Sequence, residues 1–246
     1  MKTAIITGAS SGFGEAMAHH LVKIGFRVAL GARRTDRLEK IQAELGSEKV
    51  FIHPLDVTDS NSVQDFVIAT LKQHGQIDAL INNAGLALGL DRLDASKESD
   101  WKQMWDTNVM GVVRMTQAVA PHLKSGARII NIGSISGYET YEGGAAYCSS
   151  KHALRAVTQT MRLEFMEKGI GVSTVDPGMA ETEFSMVRFK QDEARAKKVY
   201  EGIQALTAQD IAEVTGFILS RPAHVCIEEI LVVPQAQTIG KKWIQK

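Results

Sequence analysis

The feature that most constrains this chain is its opening. The apolar run Lys2-Thr3-Ala4-Ile5-Ile6-Thr7 leads directly into Gly8-Ala9-Ser10-Ser11-Gly12-Phe13-Gly14. The run has the length and character of a short buried strand. The residues that follow place Ala16, Met17, Leu21 and Ile24 at helical spacing, so the glycines occupy a strand-to-helix turn. Glycine suits such a turn for two reasons: it adopts positive φ without strain, and it lets a ligand approach the backbone with no Cβ in the way. The amides at the start of the helix then face outward, where they can bind a pyrophosphate. The alternative is an ordinary glycine-rich connection between a strand and a helix.

The same alternation continues along the chain. Strands are expected at Arg27 to Ala32, at Val50 to Pro54, and near Ala79, Ile129, Val172 and Leu231. Helices are expected at Thr35 to Leu45, Ser60 to His74, Asp100 to Lys124, Ala145 to Lys168 and Ala208 to Ser220. Seven strands alternating with six or more helices imply right-handed crossovers and a parallel sheet covered on both faces. The expected fold is therefore an α/β, doubly wound Rossmann fold of about seven parallel strands, with residues 1–246 forming one domain. Repeats, low-complexity tracts and linkers are absent. One charge-rich stretch, residues 178–205, fits neither strand nor helix well, and it follows a strand whose C-terminal end should face the crevice. It is expected to form a lid, although most of its charges read equally well as solvated surface.

Three further features fall where such a sheet would bring them together. Asn82-Asn83-Ala84-Gly85 follows the apolar run Ile77 to Ile81, and Ser134 follows the run Arg128-Ile129-Ile130-Asn131-Ile132. Both sites lie beyond the carboxyl ends of strands, where open α/β sheets bind ligands. Tyr147 and Lys151 stand four residues apart and so project from one helix face. A cation beside a phenol favours phenolate, so the pair could exchange a proton with an alcohol near neutral pH. Taken alone, that spacing is common on solvated helices.

Charge and cysteine usage narrow the remaining classes. Lys plus Arg and Asp plus Glu both number 28, so no net field attracts nucleic acid or an anionic membrane. The two cysteines, Cys148 and Cys226, have no metal-ligand spacing; they suit a reducing compartment, and no metal site is expected. No segment reads as a secretory signal or a membrane span, so a cytoplasmic protein is expected.

In this order and spacing, Thr7 to Gly14, Asn82 to Gly85, Asn108, Ser134, Tyr147 with Lys151, and Pro177-Gly178 resemble the short-chain dehydrogenase/reductase family. The likeness spans nearly the whole chain. A sharper one, to the serine and 3-hydroxy acid dehydrogenase branch, lies in four segments: Gly12 to Glu15, Asn83 to Gly89, Thr182 to Ser185 with Val187 to Lys190, and Pro222 to Val225. The resemblance implies that Tyr147 is the general acid/base, that Lys151 lowers its pKa and binds the nicotinamide ribose, and that Ser134 holds the substrate oxygen. It also implies that Asn108 serves a water-linked proton relay. An asparagine in a helix can equally bond its own backbone, and the two readings of Asn108 stay open.

For the cofactor, the resemblance implies contacts from Gly8, Ser10, Ser11, Gly12, Phe13, Gly14, Asn83, Ala84 and Gly85. Asp56 and Val57 would meet adenine, and Pro177, Gly178 and Thr182 the carboxamide. After the second strand stand Arg33 and Arg34 with no carboxylate; two guanidiniums suit a 2′-phosphate, so NADP is expected rather than NAD. The alternative makes them surface charges opening a helix. The branch implies a small polar 3-hydroxy acid, a hydroxy amino acid or the matching carbonyl compound, with Arg188 as the candidate partner of the substrate's anion. Glu139 and Glu142 would repel such an anion if they faced it.

Two other functions fit the same residues: a carbonyl reductase of bulkier ketones or acyl thioesters, and a regulator that senses NADP without turnover. The family often assembles as dimers or tetramers through helices corresponding to Asp100 to Lys124 and Ala145 to Lys168. Apolar residues on those helices (Met104, Val112, Met115, Val119, Leu154, Val157 and Met161) could serve the monomer core alone.

Overall fold

A computed structural model of the protein describes residues 1–240; the tail, residues 241–246, lies outside the described residues. Seven parallel strands form one sheet in the order β3-β2-β1-β4-β5-β6-β7. They are β1 (Thr3–Thr7), β2 (Arg27–Ala32), β3 (Val50–Pro54), β4 (Ala79–Asn82), β5 (Arg128–Ile132), β6 (Gly171–Pro177) and β7 (Glu229–Val232). Every residue of β1, β4, β5 and β6 is buried. Such continuous burial is what helices on both faces of a parallel sheet demand, and it explains why these runs read as apolar blocks rather than alternating strands.

One face is covered by α1 (Gly12–Lys23), α2 (Thr35–Leu45) and α9 (Ala208–Leu219), whose Met17, Leu21, Leu38, Ile211 and Ile218 pack against the sheet. The opposite face carries α3 (Ser60–His74), α5 (Gly111–Val119) and α6 (Ala145–Met166), with Phe66, Met115 and Leu154 in their core. The apolar positions Met104, Val112, Met115, Val119, Leu154 and Met161 are all buried, and Val157 packs against them. The monomer therefore uses these residues for its own core.

The helix expected from Asp100 to Lys124 is divided. It runs as α4 (Glu98–Trp105), a π-helical turn Asp106–Met110, α5, and a 3₁₀ turn Ala120–His122. Pro121 accounts for the last break, because it cannot donate the amide that would continue α5. The π turn lies where Gly111 lets the helix touch Val57; a Cβ there would come 2.7 Å from Val57 Cγ2. Residues 178–205 are not wholly irregular. They contain α7 (Phe184–Arg188) and α8 (Glu193–Lys198) and end near a bridge between Ala180 and Leu206.

Strand order reverses between β1 and β4, and connections from these two strands leave on opposite faces, which opens a crevice above their carboxyl ends. The reversal is stitched by side chains. Thr7 Oγ1 accepts the amides of Asn83 (3.0 Å) and Ala84 (2.9 Å), while Asn83 Nδ2 donates to the carbonyls of Thr7 (2.9 Å) and Gly8 (3.2 Å). Gly8 has φ +64° and its missing Cβ would lie 2.8 Å from Ala84 Cα. Gly8→Ala should therefore lower stability by about 1–3 kcal/mol through strain and collision together. Gly25 also has positive φ, but nothing lies within 4 Å of its added Cβ. Gly25→Ala should lose only the backbone part, about 1 kcal/mol. Urea unfolding of both variants checks the difference, and equal losses would remove the contact with Ala84 from the account.

Candidate active site

Above the reversal lies a cleft of about 350 Å³. Gly8, Ser10, Ser11, Gly12 and Phe13 line one wall, Asn83, Ala84 and Gly85 another, and Asp56 and Val57 the end beside Arg33 and Arg34. The glycine loop is shaped for close approach: an added Cβ on Gly14 would stand 2.5 Å from Gly8 O and 2.7 Å from Asn83 Nδ2. Ser11 precedes α1 in an extended conformation and its hydroxyl does not cap the helix. Amides at this helix start, together with the Ser10 and Ser11 hydroxyls, are the donor set that a diphosphate requires. The residues present thus fit a dinucleotide. Thr182 reaches the same wall, with its Cβ 3.4 Å from the position of an added Gly12 Cβ.

The basic end is more elaborate than expected. Arg33 is exposed at the rim, where its charge helps hold the Asp56 carboxyl below the ordinary range against burial, after the stronger hydrogen bonds from Thr58. Arg34 donates to Ser10 Oγ (3.1 and 3.2 Å) and Ser11 Oγ (2.7 Å), and through Nη1 to Glu183 (3.2 Å). Arg37, one turn into α2, bonds the same Glu183 carboxylate at 2.7 and 2.8 Å. Burial lifts the Glu183 pKa, but the bonds from Arg37 and Arg34 outweigh it and hold the group below its ordinary value. Arg37 and Glu183 were not anticipated. Arg37 is legible in sequence as a third basic residue one turn past Arg34, but no local signal links it to a carboxylate 146 positions away.

A small pocket of about 20 Å³ lies against Tyr147, bounded also by Leu88, Trp101, Met104 and Tyr141. Tyr147 and Lys151 project from the first turns of α6 as their spacing requires, with Lys151 Nζ 5.9 Å from the Tyr147 ring centre. Both are below 10 % exposed. Lys151 Nζ donates to the carbonyl of Ile132, at the end of β5 (2.9 Å). Burial pushes its pKa from the ordinary 10.5 down to about 8, opposed by the charge of Asp176. Burial likewise pushes Tyr147 up to about 12; the guanidinium of Arg188 and a hydrogen bond with Ser134 oppose it. Of the two cations beside the phenol Arg188 is the nearer, its guanidinium carbon 5.0 Å from the Tyr147 ring centre against 5.9 Å for Lys151 Nζ.

Arg188 closes the site from α7. Its guanidinium carbon lies 5.0 Å from the Tyr147 ring centre and 5.1 Å from that of Phe184, and Nη2 donates to Tyr141 Oη (2.9 Å). Its Nε is buried and makes no hydrogen bond among the described residues. Ser134 sits just past β5, with its hydroxyl accepting the Ser136 amide (3.1 Å) and its own amide donating to Asp176 Oδ1 (3.1 Å).

Asn108, inside the π turn, is fully engaged. Oδ1 accepts the Leu86 amide (2.9 Å), and Nδ2 donates to Leu86 O (2.9 Å) and Ser150 Oγ (3.0 Å). These bonds cross to other elements rather than to its own backbone. Around Gly85 the parts converge, since an added Cβ would stand 3.3 Å from Asn108 Oδ1 and 3.8 Å from Lys151 Nζ.

Pro177 ends β6 and Gly178 follows it, donating to Val232 O (2.7 Å), and a side chain on Gly178 would collide with Gln237. Glu142 pairs with Arg92 (2.9 Å) on the surface, and Glu139 accepts the Gly240 amide (2.5 Å). Neither makes its bond toward Arg188. Cys148 is buried and Cys226 exposed, both free. Among the described residues no group of His, Cys, Asp or Glu could hold a metal ion, and no helix is long and apolar enough to cross a membrane.

A glycine-lined crevice at the strand reversal, with a serine, a tyrosine and a lysine converging beside it, defines a dinucleotide-binding protein equipped for proton transfer. The short chain dehydrogenase family model matches residues 2–193, and the chain belongs to that family. Among relatives, it is 44 % identical to an NADP-dependent 3-hydroxy acid dehydrogenase of Schizosaccharomyces pombe, over 96 % of this chain and 93 % of the relative. It is 41 % identical to a sulfoacetaldehyde reductase of Chromohalobacter salexigens, over 94 % and 93 %. The closed form of a serine dehydrogenase complexed with NADP+ superposes with a TM-score of 0.92 at 34 % identity, covering 99 % of both chains.

The lysine makes a thermodynamic prediction. A lysine whose folded pKa lies below its unfolded value burdens the fold while both states are protonated. That cost is full below about pH 8 and fades as pH rises toward 10.5. Lys151→Met should therefore be more stable than the parent by about 1–2 kcal/mol at pH 7, with the gap closing by pH 10. Denaturation at both pH values checks this, and a variant less stable at pH 7 would contradict it.

Proposed function

We propose that this protein is an NADP-dependent oxidoreductase that interconverts a small anionic hydroxy acid, or hydroxy amino acid, with its carbonyl form. The observation that carries the substrate assignment is Arg188, a half-buried guanidinium over the Tyr147 ring with an unbonded Nε. A fork of donors held beside the proton-transfer residue, in a pocket of little volume, suits a carboxylate or sulfonate two or three bonds from the reacting carbon. The three relatives named above act, by their names, on a 3-hydroxy acid, a sulfonated aldehyde and serine, which supports the same class.

Bound NADP supplies the hydride acceptor or donor. Tyr147 moves a proton to or from the substrate oxygen, Ser134 holds that oxygen, and Lys151 orients the ribose from beneath with its ammonium. Asn108 fixes the Leu86 backbone against α6, so that the cleft floor and the lysine keep their spacing. Gly8, Ser10, Ser11, Gly12, Phe13 and Gly14 receive the diphosphate; Asp56 and Val57 the adenine; Asn83, Ala84 and Gly85 the central riboses; and Thr182 the nicotinamide side. Arg33 and Arg34 take the 2′-phosphate.

Residues 178–205 act as the lid of a single catalytic domain, with α7 as the part that touches the site. Assembly into dimers or tetramers in the cytoplasm is consistent with the exposed Leu163 and Met166 on α6 and Trp105 and Met110 beside the π turn. The bulky-ketone reading is less favoured, because Trp101, Tyr141 and Phe184 crowd the pocket.

Two measurements test these assignments. Arg188→Ala should raise KM for 3-hydroxypropionate or serine by about 10- to 100-fold, the loss of a charge-assisted pair, while KM for a neutral alcohol changes little. Equal KM for the acids would remove Arg188 from substrate binding, and turnover confined to bulky neutral ketones would overturn the substrate class. Arg33→Ala combined with Arg34→Ala should weaken NADP by a similar factor and leave NAD nearly unchanged. Intact NADP affinity in a titration would show that the phosphate is held elsewhere.

A further inference from the structure

Behind the reacting groups lies a buried carboxylate to which the reading above gives no role. Asp176 stands at the end of β6 and is 2 % exposed. Its Oδ1 accepts the Ser134 amide at 3.1 Å, and its Oδ2 accepts Tyr138 Oη at 3.1 Å. Tyr138 also donates to Glu229 of β7 (3.1 Å), and Arg155 of α6 bonds Glu229 (3.2 Å) while stacking 4.3 Å from the Tyr138 ring centre. The neighbouring backbone has made room for it, since a Cβ on Gly133 would collide with Asp176 Oδ1. Lys151 is anchored on Ile132 O, and Ile132 is paired with Val175, the residue before Asp176. Lys151 Nζ is thus held at the end of β5, beside the strand end that carries Asp176.

We propose that Asp176 is a positioning residue with two tasks: it fixes Ser134 through the backbone, and its charge keeps Lys151 in the ammonium form in which it can act. This rests on the proton-transfer reading given above. A buried carboxylate is costly unless bonded and paired, and this one has a backbone donor, a phenol donor and a cation. The groups facing it are Thr174 on its own strand, the Ser134 amide, Tyr138, and Lys151 from α6, with Glu229 and Arg155 one contact further out. Burial raises its pKa, and Thr174, Tyr138, the Ser134 amide and Lys151 pull it back. Lys151 in turn loses its proton more easily through burial, and the charge of Asp176 opposes that loss. Without that charge the ammonium keeps its bond to Ile132 O but loses a stabilising anion, so its pKa falls.

The experiment separates charge from shape. Asp176→Asn keeps an acceptor for the Ser134 amide and removes the charge; Asp176→Ala removes both. For each, the pH dependence of kcat/KM and of NADP affinity, read by fluorescence titration without turnover, is compared with the parent. The parent should lose activity and cofactor affinity as pH rises through about 8, where Lys151 deprotonates. In Asp176→Asn that loss should move about one pH unit lower, giving roughly a fivefold deficit at pH 8 and less than about twofold at pH 6. Asp176→Ala should be impaired at every pH, because Ser134 is released as well.

A uniform deficit in Asp176→Asn, or an unmoved alkaline limb, overturns the inference. If neither variant folds, a ¹³C-carboxyl titration of the parent decides it. Asp176 should report an inflection near pH 8 that disappears in Lys151→Met, and a flat response in the parent overturns the inference. If no substrate turns over while the pH break in NADP affinity still moves in Asp176→Asn, the reaction assignment fails and the role of Asp176 stands.

Discussion

The junction of β1 and β4 is the contact on which the rest depends. A parallel sheet whose strand order reverses must part its connecting loops there, and the parted backbone must still satisfy its hydrogen bonds. Thr7 and Asn83 meet this requirement reciprocally, each side chain bonding the other strand's backbone. The exchange draws Gly8 against Ala84 so closely that neither loop can shift alone. The glycine turn, the Asn83-Ala84-Gly85 wall and the start of α1 are thereby held as one rigid rim. Asn108 extends the rim to α6 through Leu86 and Ser150, and so sets the distance from the cleft floor to Lys151 and Tyr147.

Within that frame the site is electrostatically expensive. Burial pushes the Lys151 pKa down and the Tyr147 pKa up, so each group resists its charged form. Two fixed charges work against the burial, Asp176 on the lysine and Arg188 over the tyrosine ring. Their attraction is strong because little water intervenes to screen it. A tyrosine pushed up to about 12 is a proton donor that yields its proton only when the local field becomes more positive. The cations around it are therefore as much part of the acid as the phenol, and Arg188 supplies its charge from α7.

Much of this was legible in the residues. The apolar runs, the glycine turn and the Tyr147-Lys151 spacing report local geometry, and local geometry is what a sequence encodes most directly. Seven strands and the helices that alternate with them followed from that alone. The departures have a common cause. The division of the helix at Asp106–Met110 comes from packing of Gly111 on Val57, and the Arg37-Glu183 and Tyr138-Asp176 bonds join residues 146 and 38 positions apart. No periodicity marks such pairs. Asp176 did leave one trace, since a carboxylate inside the buried strand Gly171–Pro177 must find partners or destabilise the fold. That trace indicates that partners exist without indicating which.

The short helix α7 joins the two halves of the site. At its N-terminal side Glu183 is held by Arg34 and Arg37, the basic end of the cleft; at its last residue Arg188 lies over Tyr147. Five residues of helix span about 7 Å, so one short element carries both the carboxylate held by the basic end and the guanidinium that lies over the phenol. Arg34 divides its donors between that carboxylate and the Ser10 and Ser11 hydroxyls, which ties the start of α7 to the glycine turn.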